Sequence, residues 1–180
     1  LITQFKYYLL VNNNKLSMTT TKEEGFIPKE EYVNIIKKTQ IISTDLIIFN
    51  NLGQVLLGYR NNEPAKNTWF VPGGKVRINE KIHDAVRRVT KQELGIELNA
   101  TKDLGVYHHP YSNNFANDDH GTHYVVFAVT ITLDKDISLV TDDQHSKLEW
   151  WDVEKLVSHP DVHTFTKNYF HPAPWNKAFF

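Results

Sequence analysis

The stretch Trp69-Phe70-Val71-Pro72-Gly73-Gly74-Lys75-Val76-Arg77-Ile78-Asn79-Glu80 joins a short apolar strand to a proline–glycine turn and then to a helix. The helix is expected from about Glu80 to Leu94, with Gly95 as its C-terminal stop. Paired glycines let the backbone turn sharply and bring a carbonyl close to a bound ion. A carboxylate on the following helix can join that carbonyl in an all-oxygen magnesium site. Taken alone, the acids from Glu80 to Glu93 read as a solvated helix face; the glycine turn before them shifts the balance toward a site. Positions 89, 92 and 93 share one helix face, and of Val89, Gln92 and Glu93 only the last is a carboxylate.

Outward from this stretch, Pro28 followed by Lys29, Glu30 and Glu31 predicts a helix start, with Tyr32, Ile35 and Ile36 at helical spacing and Lys37–Lys38 at its end. Gln40–Phe49 and Gln54–Tyr59 read as strands joined through Asn50-Asn51-Leu52-Gly53, a hairpin signal. Val106–Tyr111, Tyr124–Leu133 and Leu148–Trp151 follow as strands, and a helix begins at Val153–Val157. The polar segment Ser112–Gly121 is a candidate mobile lid. Mostly antiparallel strands with few helices give the class α+β. Residues 1–22 read as an N-terminal tail, poorly ordered or outside the functional start, and residues 23–180 as one domain.

Composition narrows the function. Apolar residues make up 41% and charged residues 23%, and the net charge is −1. That balance argues against a broad basic face for nucleic acid, so an anionic substrate must be met by a few local cations. The absence of cysteine removes disulfides, thiolate nucleophiles and zinc–thiolate sites, and fits a reducing, cytoplasmic setting. No apolar run approaches the roughly 20 residues that span a bilayer. The apolar start Leu1–Val11 precedes Asn12–Asn14 and Lys15 without a small-residue cleavage site, a weak signal-peptide pattern.

Gly74, Glu80, Arg88, Glu93, Gly95 and Ile96 stand in register with the Nudix box: Gly, five residues, Glu, seven residues, then Arg-Glu-Φ-x-Glu-Glu-x-Gly-Φ, with Φ apolar. The chain therefore resembles the Nudix hydrolases, which implies a mixed β-sheet sandwiched between helices. Val89 and Gln92 stand where that pattern has glutamates. A single remaining carboxylate cannot easily neutralise several cations, so one Mg²⁺ is expected, completed by neutral oxygens, water and phosphate, with Mn²⁺ able to substitute.

Further segments are similar to the GDP-mannose mannosyl hydrolase branch: Ser43-Thr44-Asp45, Leu56-Leu57-Gly58-Tyr59-Arg60, Pro64-Ala65, Thr122-His123-Tyr124-Val125-Val126 and Asp143-Gln144-His145. This resemblance implies a GDP-hexose substrate cut at the anomeric carbon with inversion, releasing GDP and free sugar. It implies Gly73 (carbonyl), Glu93 and Gln144 as the Mg²⁺ ligands, His145 as general base, and Arg60 on the leaving diphosphate. Asp45 and Tyr124 are implied as substrate contacts, and Lys75 stands where the branch has a second diphosphate-binding arginine. By the same analogy His109 and Asp118–Asp119 fall near the sugar, and Tyr32 near the guanine pocket and a homodimer contact.

The chemistry suits these residue types. Inverting attack needs a base holding water opposite the leaving group, and a histidine near neutrality serves. A diphosphate leaves as a stable anion, so positive charge can replace a general acid. Each residue also has a plainer reading. Asp45, a charge inside the apolar run Ile41–Phe49, must be paired, through a site or simply with an arginine. Arg60 can be an ordinary strand-end cation, Tyr32 and Trp150–Trp151 can be packing, and Arg88 can pair with a helix acid. His108–His109 and His120–His123 lack a helical spacing for zinc. Two alternatives stay open: a conventional nucleoside-diphosphate-sugar pyrophosphatase drawing on Asp142 or Asp143, and a non-catalytic nucleotide-sugar binding module.

Overall fold

A computed structural model describes residues 27–116, 119–135, 137 and 145–170. The tail 1–22, Asp118, Asp142, Asp143 and Gln144 lie outside these described residues. The elements are α1 (Lys29–Ile36), β1 (Ile41–Phe49), β2 (Val55–Arg60), β3 (Trp69–Phe70), β4 (Gly73–Lys75), α2 (Ile82–Leu94), β5 (Lys102–Tyr111), β6 (Thr122–Thr132), β7 (His145–Trp151), α3 (Val153–Ser158) and α4 (Thr164–Asn168).

The strands form one seven-stranded mixed sheet in the order β3-β2-β1-β6-β5, with β4 added to β1 and β7 to β2. Among the described strands β1 and β6 are the one parallel pair, from Ile41↔Tyr124 to Phe49↔Thr132. The expected hairpin is confined to one register pair, Phe49↔Val55. Beyond it β2 leaves β1 and pairs along its length with β7, while β4 takes the freed edge of β1 at Ser43, Thr44 and Asp45. This split opens β1 at its polar centre, where the candidate site lies.

β1 is buried on both faces, as its continuous apolar run requires. Leu46 and Ile48 pack with Leu56, Val86, Val89, Leu94, Val129 and Ile131 on the α2 side. Ile47 packs on the other side with Val55, Leu57, Trp69, Phe70, Trp151, Leu156 and Tyr169, under α3 and α4. Helices on both faces make this the α+β sandwich expected from sequence. At about 25 cal/mol per Å² of apolar area, these two clusters supply the main drive for folding. No helix is long and apolar enough to cross a membrane among the described residues.

Local differences from the sequence reading have physical causes. α2 starts at Ile82, not Glu80, because Asn79 adopts a left-handed φ of 60° and Glu80 turns back to accept from Arg77 N at 2.8 Å. The helix stops at Gly95, φ 75°, whose N–H caps Lys91 O. β5 begins at Lys102, ahead of the apolar run, because Lys102 and Asp103 pair with Thr130 and Val129 before an irregularity at Gly105. The described part of the candidate lid is strapped down. Asn113 Nδ2 donates to Glu63 at 2.7 Å and to Pro64 O at 3.2 Å, and buried Asn114 Nδ2 donates to His120 O at 2.5 Å.

Candidate functional site

Side chains alternate across β1, so Thr44 and Asp45 face opposite sides of the sheet. Thr44 is closed off by its bond to Phe127 O at 2.9 Å. Asp45, 7% exposed, lies opposite Gly73 of β4. A Cβ at Gly73 would come within 2.7 Å of Asp45 Oδ1, so only glycine lets the carboxylate lie this close to β4. Tyr169 Oη donates to Asp45 Oδ2 at 2.6 Å. Burial raises the Asp45 carboxyl to about 7, against the opposing pull of the Tyr169 hydrogen bond and the Arg60 charge.

Arg60 ends β2, where the register with β7 shifts between Tyr59 and Arg60. Bulges of this kind re-aim a side chain. The guanidinium charge reaches Asp45, Tyr111, Tyr124 and His163, and its Nε is buried without a hydrogen bond among the described residues.

Lys75 Nζ lies 3.6 Å from the centre of the Tyr32 ring, a cation–π contact. The Tyr32 hydroxyl hydrogen-bonds that of Tyr124, whose ring meets Tyr111 edge-on at 6.0 Å. Burial, then the charges of Arg77 and Arg88, lower the Lys75 ammonium to about 8. Tyr32, Lys75, Tyr124, Arg60 and Asp45 thus form a phenol- and cation-lined region on one side of the sheet. Tyr32 is also a packing residue, 6% exposed and 5.2 Å from the Phe115 ring, as its plainer sequence reading has it.

On the α2 side the box residues divide into three kinds. Arg88 is structural: it donates from Nε to Glu80 Oε1 at 2.6 Å, from Nη2 to Lys75 O at 2.7 Å, and from Nη1 to Gln92 Oε1 at 2.9 Å. The Arg88 hydrogen bond, with help from Arg77 N–H, lowers the Glu80 carboxyl against the opposing effect of burial. Val89 is core, 2% exposed, and a Cβ at Gly74 would sit 2.8 Å from its Cγ2. Glu93 is a carboxylate buried to 3%. His145, first residue of β7 and 1% exposed, lies over Gly58, where an added Cβ would be 2.2 Å from its ring. Leu56, two residues before Gly58 on β2, packs with α2, so the His145 ring is on the α2 side and Asp45 on the other.

No group of three or more His, Cys, Asp or Glu side chains that could hold a metal occurs among the described residues. His108 Nδ1 and His123 Nε2 meet at 3.1 Å, and His123 Nδ1 lies 3.1 Å from Gln40 Nε2. The Glu93 carboxylate and the β4 backbone carbonyls are hard oxygens of the kind Mg²⁺ takes, so the chemistry of these donors fits a hard divalent cation.

Sequence reasoning missed α4 and its aromatic wall. His109, 3% exposed, stacks on Phe165 at 4.2 Å and 6° between planes, and its Nε2 lies 3.2 Å from Tyr169 Oη. Its Nδ1 is 3.9 Å from Asp45 Oδ2. Burial lowers its imidazole to about 3 and that of His163 to about 4, so both are neutral at pH 7. The available signal was the aromatic spacing of Phe165 and Tyr169 with the anomalous Asp45, which demanded a distant donor.

Comparison with known proteins agrees with this architecture. The NUDIX domain profile matches residues 39–173. The low-salt glycan biosynthesis protein Agl8 of Haloferax volcanii is 38% identical over 84% of this chain and 94% of its own. An ADP-ribose pyrophosphatase of Methanocaldococcus jannaschii is 39% identical over 32% of this chain and 34% of its own. Among solved structures, a MutT protein from Methanosarcina mazei superposes with TM-score 0.62 at 22% identity, over 76% of this chain and 94% of its own. The NUDIX domain of Shewanella oneidensis NrtR, complexed with ADP ribose, gives 0.56 at 19%, over 80% and 97%. By its box, its sheet and these likenesses, the chain belongs to the Nudix hydrolase family.

Proposed function

We propose that the protein hydrolyses a nucleoside-diphosphate sugar, GDP-mannose or a related GDP-hexose, to GDP and free sugar by water attack at the anomeric carbon with inversion. The observation that carries this reading is the buried Val89 packed on Gly74. The position that elsewhere in the family supplies a carboxylate is part of the apolar core here, leaving Glu93 alone on that face. The relative named for glycan biosynthesis supports an activated-sugar substrate.

Glu93, the Gly73 carbonyl and Gln144 would hold one Mg²⁺, which supplies positive charge to the leaving diphosphate. Arg60 and Lys75 face the same task from β2 and β4: a guanidinium whose buried Nε makes no hydrogen bond among the described residues, and an ammonium held over Tyr32. Charge of this kind stabilises the departing anion without a proton donor. Tyr124 adds a phenol beside them, and Asp45 accepts from a sugar hydroxyl. The general base is assigned to His145, next to Gln144, its ring against Gly58 on the Glu93 side of the sheet, so the substrate would have to reach both this face and the Asp45 face. The resemblance that supports this reading also supports a cytoplasmic homodimer of domains spanning residues 23–180, with α1 near the contact; light scattering tests the dimer.

Hydrolysis of GDP-mannose in ¹⁸O-labelled water tests the reading: label is expected in the sugar and none in GDP. Replacing His145 by Gln should lower kcat by orders of magnitude while leaving nucleotide-sugar binding largely intact. A second reading, attack at phosphorus, draws on the ADP-ribose pyrophosphatase relative, and label in the nucleotide would establish it. Binding without turnover of any nucleotide sugar in Mg²⁺ would instead identify a binding module.

A further inference from the structure

The carboxylate of Asp45 does not stand alone on β1. Its Oδ2 accepts from Tyr169 Oη at 2.6 Å, and that same oxygen of Tyr169 lies 3.2 Å from His109 Nε2. A phenol has one proton to give. The shorter contact, to the carboxylate, takes it, so His109 Nε2 carries its hydrogen and donates to Tyr169 Oη. That assignment leaves His109 Nδ1 without a proton, consistent with its 3.9 Å separation from Asp45 Oδ2, too long for a hydrogen bond. The direction of the chain is therefore His109 to Tyr169 to Asp45.

The surroundings fix each member. The His109 ring is stacked on Phe165 at 4.2 Å, and the Tyr169 ring packs edge-on against Tyr107 at 4.7 Å. Side-chain exposure is 4% for His109 and 10% for Asp45. Neither His109 Nε2 nor Tyr169 Oη has a proton to spare for a ligand, while Asp45 Oδ1 lies beside Gly73 of β4.

We infer that Tyr169 is a positioning residue for Asp45, with His109 orienting Tyr169 in turn, so that the segment after α4 is a working part of the substrate site. The inference rests on the reading of Asp45 as a substrate contact. It gives His109 a supporting role behind Asp45 in place of the direct sugar contact expected from sequence, and it makes the interval His163–Tyr169 necessary for ligand recognition.

The test is a double-mutant cycle with a substrate-independent arm. Tyr169→Phe should raise KM for GDP-mannose by about tenfold or more, the size of losing a buried hydrogen bond and leaving its partner unsatisfied, with kcat changed by less than about threefold. In an Asp45→Ala background the same change should cost less than about twofold, because coupled residues are not additive. His109→Leu should show the same KM-weighted loss, and His109→Gln, which keeps an amide donor, should recover most of it. This pair also carries the test if Tyr169→Phe does not fold. In ¹H NMR a slowly exchanging downfield hydroxyl proton should be present in the unmodified protein and lost in both Tyr169→Phe and Asp45→Ala. An equal loss in both backgrounds, or a proton that survives Asp45→Ala unchanged, overturns the inference. Failure to hydrolyse GDP-mannose would count against the proposed function and leave the NMR arm to decide the relay.

Discussion

Replacing Asp45 by Asn should make the protein progressively more stable than the parent as the pH rises. Burial lifts the Asp45 carboxyl from its ordinary 3.8 to about 7. Between those values the folded protein holds a proton that the unfolded chain has released, so each step upward in pH favours unfolding. The sign is the reverse of that for a salt-bridged carboxylate: stability is lost as pH rises through the window and levels off above about 7. At about 1.36 kcal/mol per pH unit, the interval from pH 5 to the plateau removes roughly 2–3 kcal/mol. Asparagine has no proton to lose and still accepts from Tyr169. Urea unfolding of both proteins in EDTA, at pH 5 and at pH 8.5, gives the two stability differences directly. The advantage of Asp45→Asn over the parent should grow by about 2–3 kcal/mol between them. The offset at pH 5 does not matter, since any fixed packing effect of the amide cancels. A difference that stays constant would mean that the Tyr169 bond and the Arg60 charge hold Asp45 ionised. A difference that shrinks would mean that they overcompensate burial, and the reasoning would be refuted.

Val89→Glu, which restores the family residue, should cost roughly 3–5 kcal/mol in a chemical melt, because it puts an unpaired charge into a site 2% exposed and packed on Gly74; a variant as stable as the parent would show that this face of α2 opens to water. Gly58→Ala should lower kcat at least about tenfold with a smaller effect on KM, since its methyl would lie 2.2 Å from the His145 ring and misplaced groups react slowly. Steady-state kinetics of Gly58→Ala matching the parent would remove His145 from the chemistry. KM for a nucleotide-sugar substrate should rise as pH passes about 8, where Lys75 loses its charge. Lys75→Arg, charged to beyond about pH 12, should abolish that alkaline limb, and a limb that persists in it belongs to another group.

Much of the fold was legible because it rests on local signals. The lead-in from Trp69, the glycine pair, the helix face and the stop at Gly95 are all read within a few residues. Asp45 was legible as an anomaly, since a charge in an apolar strand must have a partner, through a site or simply with an arginine, but the sequence did not point to a tyrosine. Tyr169 supplies the hydrogen bond instead, from a residue 124 positions away, and no spacing rule reaches across that distance. The hairpin reading was right about the turn and incomplete about the sheet. Asn50 fixes the turn by accepting from Leu52 N and Gln54 N at 3.0 and 2.9 Å, whereas the partner of β2 is decided by packing against β7. The polar loop after β5 read as a candidate mobile lid from composition; among its described residues Asn113 bonds Glu63 and Pro64, an attachment that composition does not reveal. The metal-ligand role of Gln144 lies outside the described residues.

The loss of box carboxylates takes on a different meaning once β4 is placed. β4 alternates: Gly73 faces Asp45, Gly74 faces Val89, and Lys75 reaches Tyr32. A glutamate at position 89 would have to share that close contact with Gly74. Valine turns the same contact into an apolar seam between β4 and α2, and Arg88 locks it by donating to Lys75 O. The strand carrying Lys75 is thus held by the box arginine and by Val89, the one of these two positions where the family pattern has a carboxylate. Under the proposed reaction, the Lys75 cation held on β4 would supply part of the positive charge that a leaving diphosphate needs.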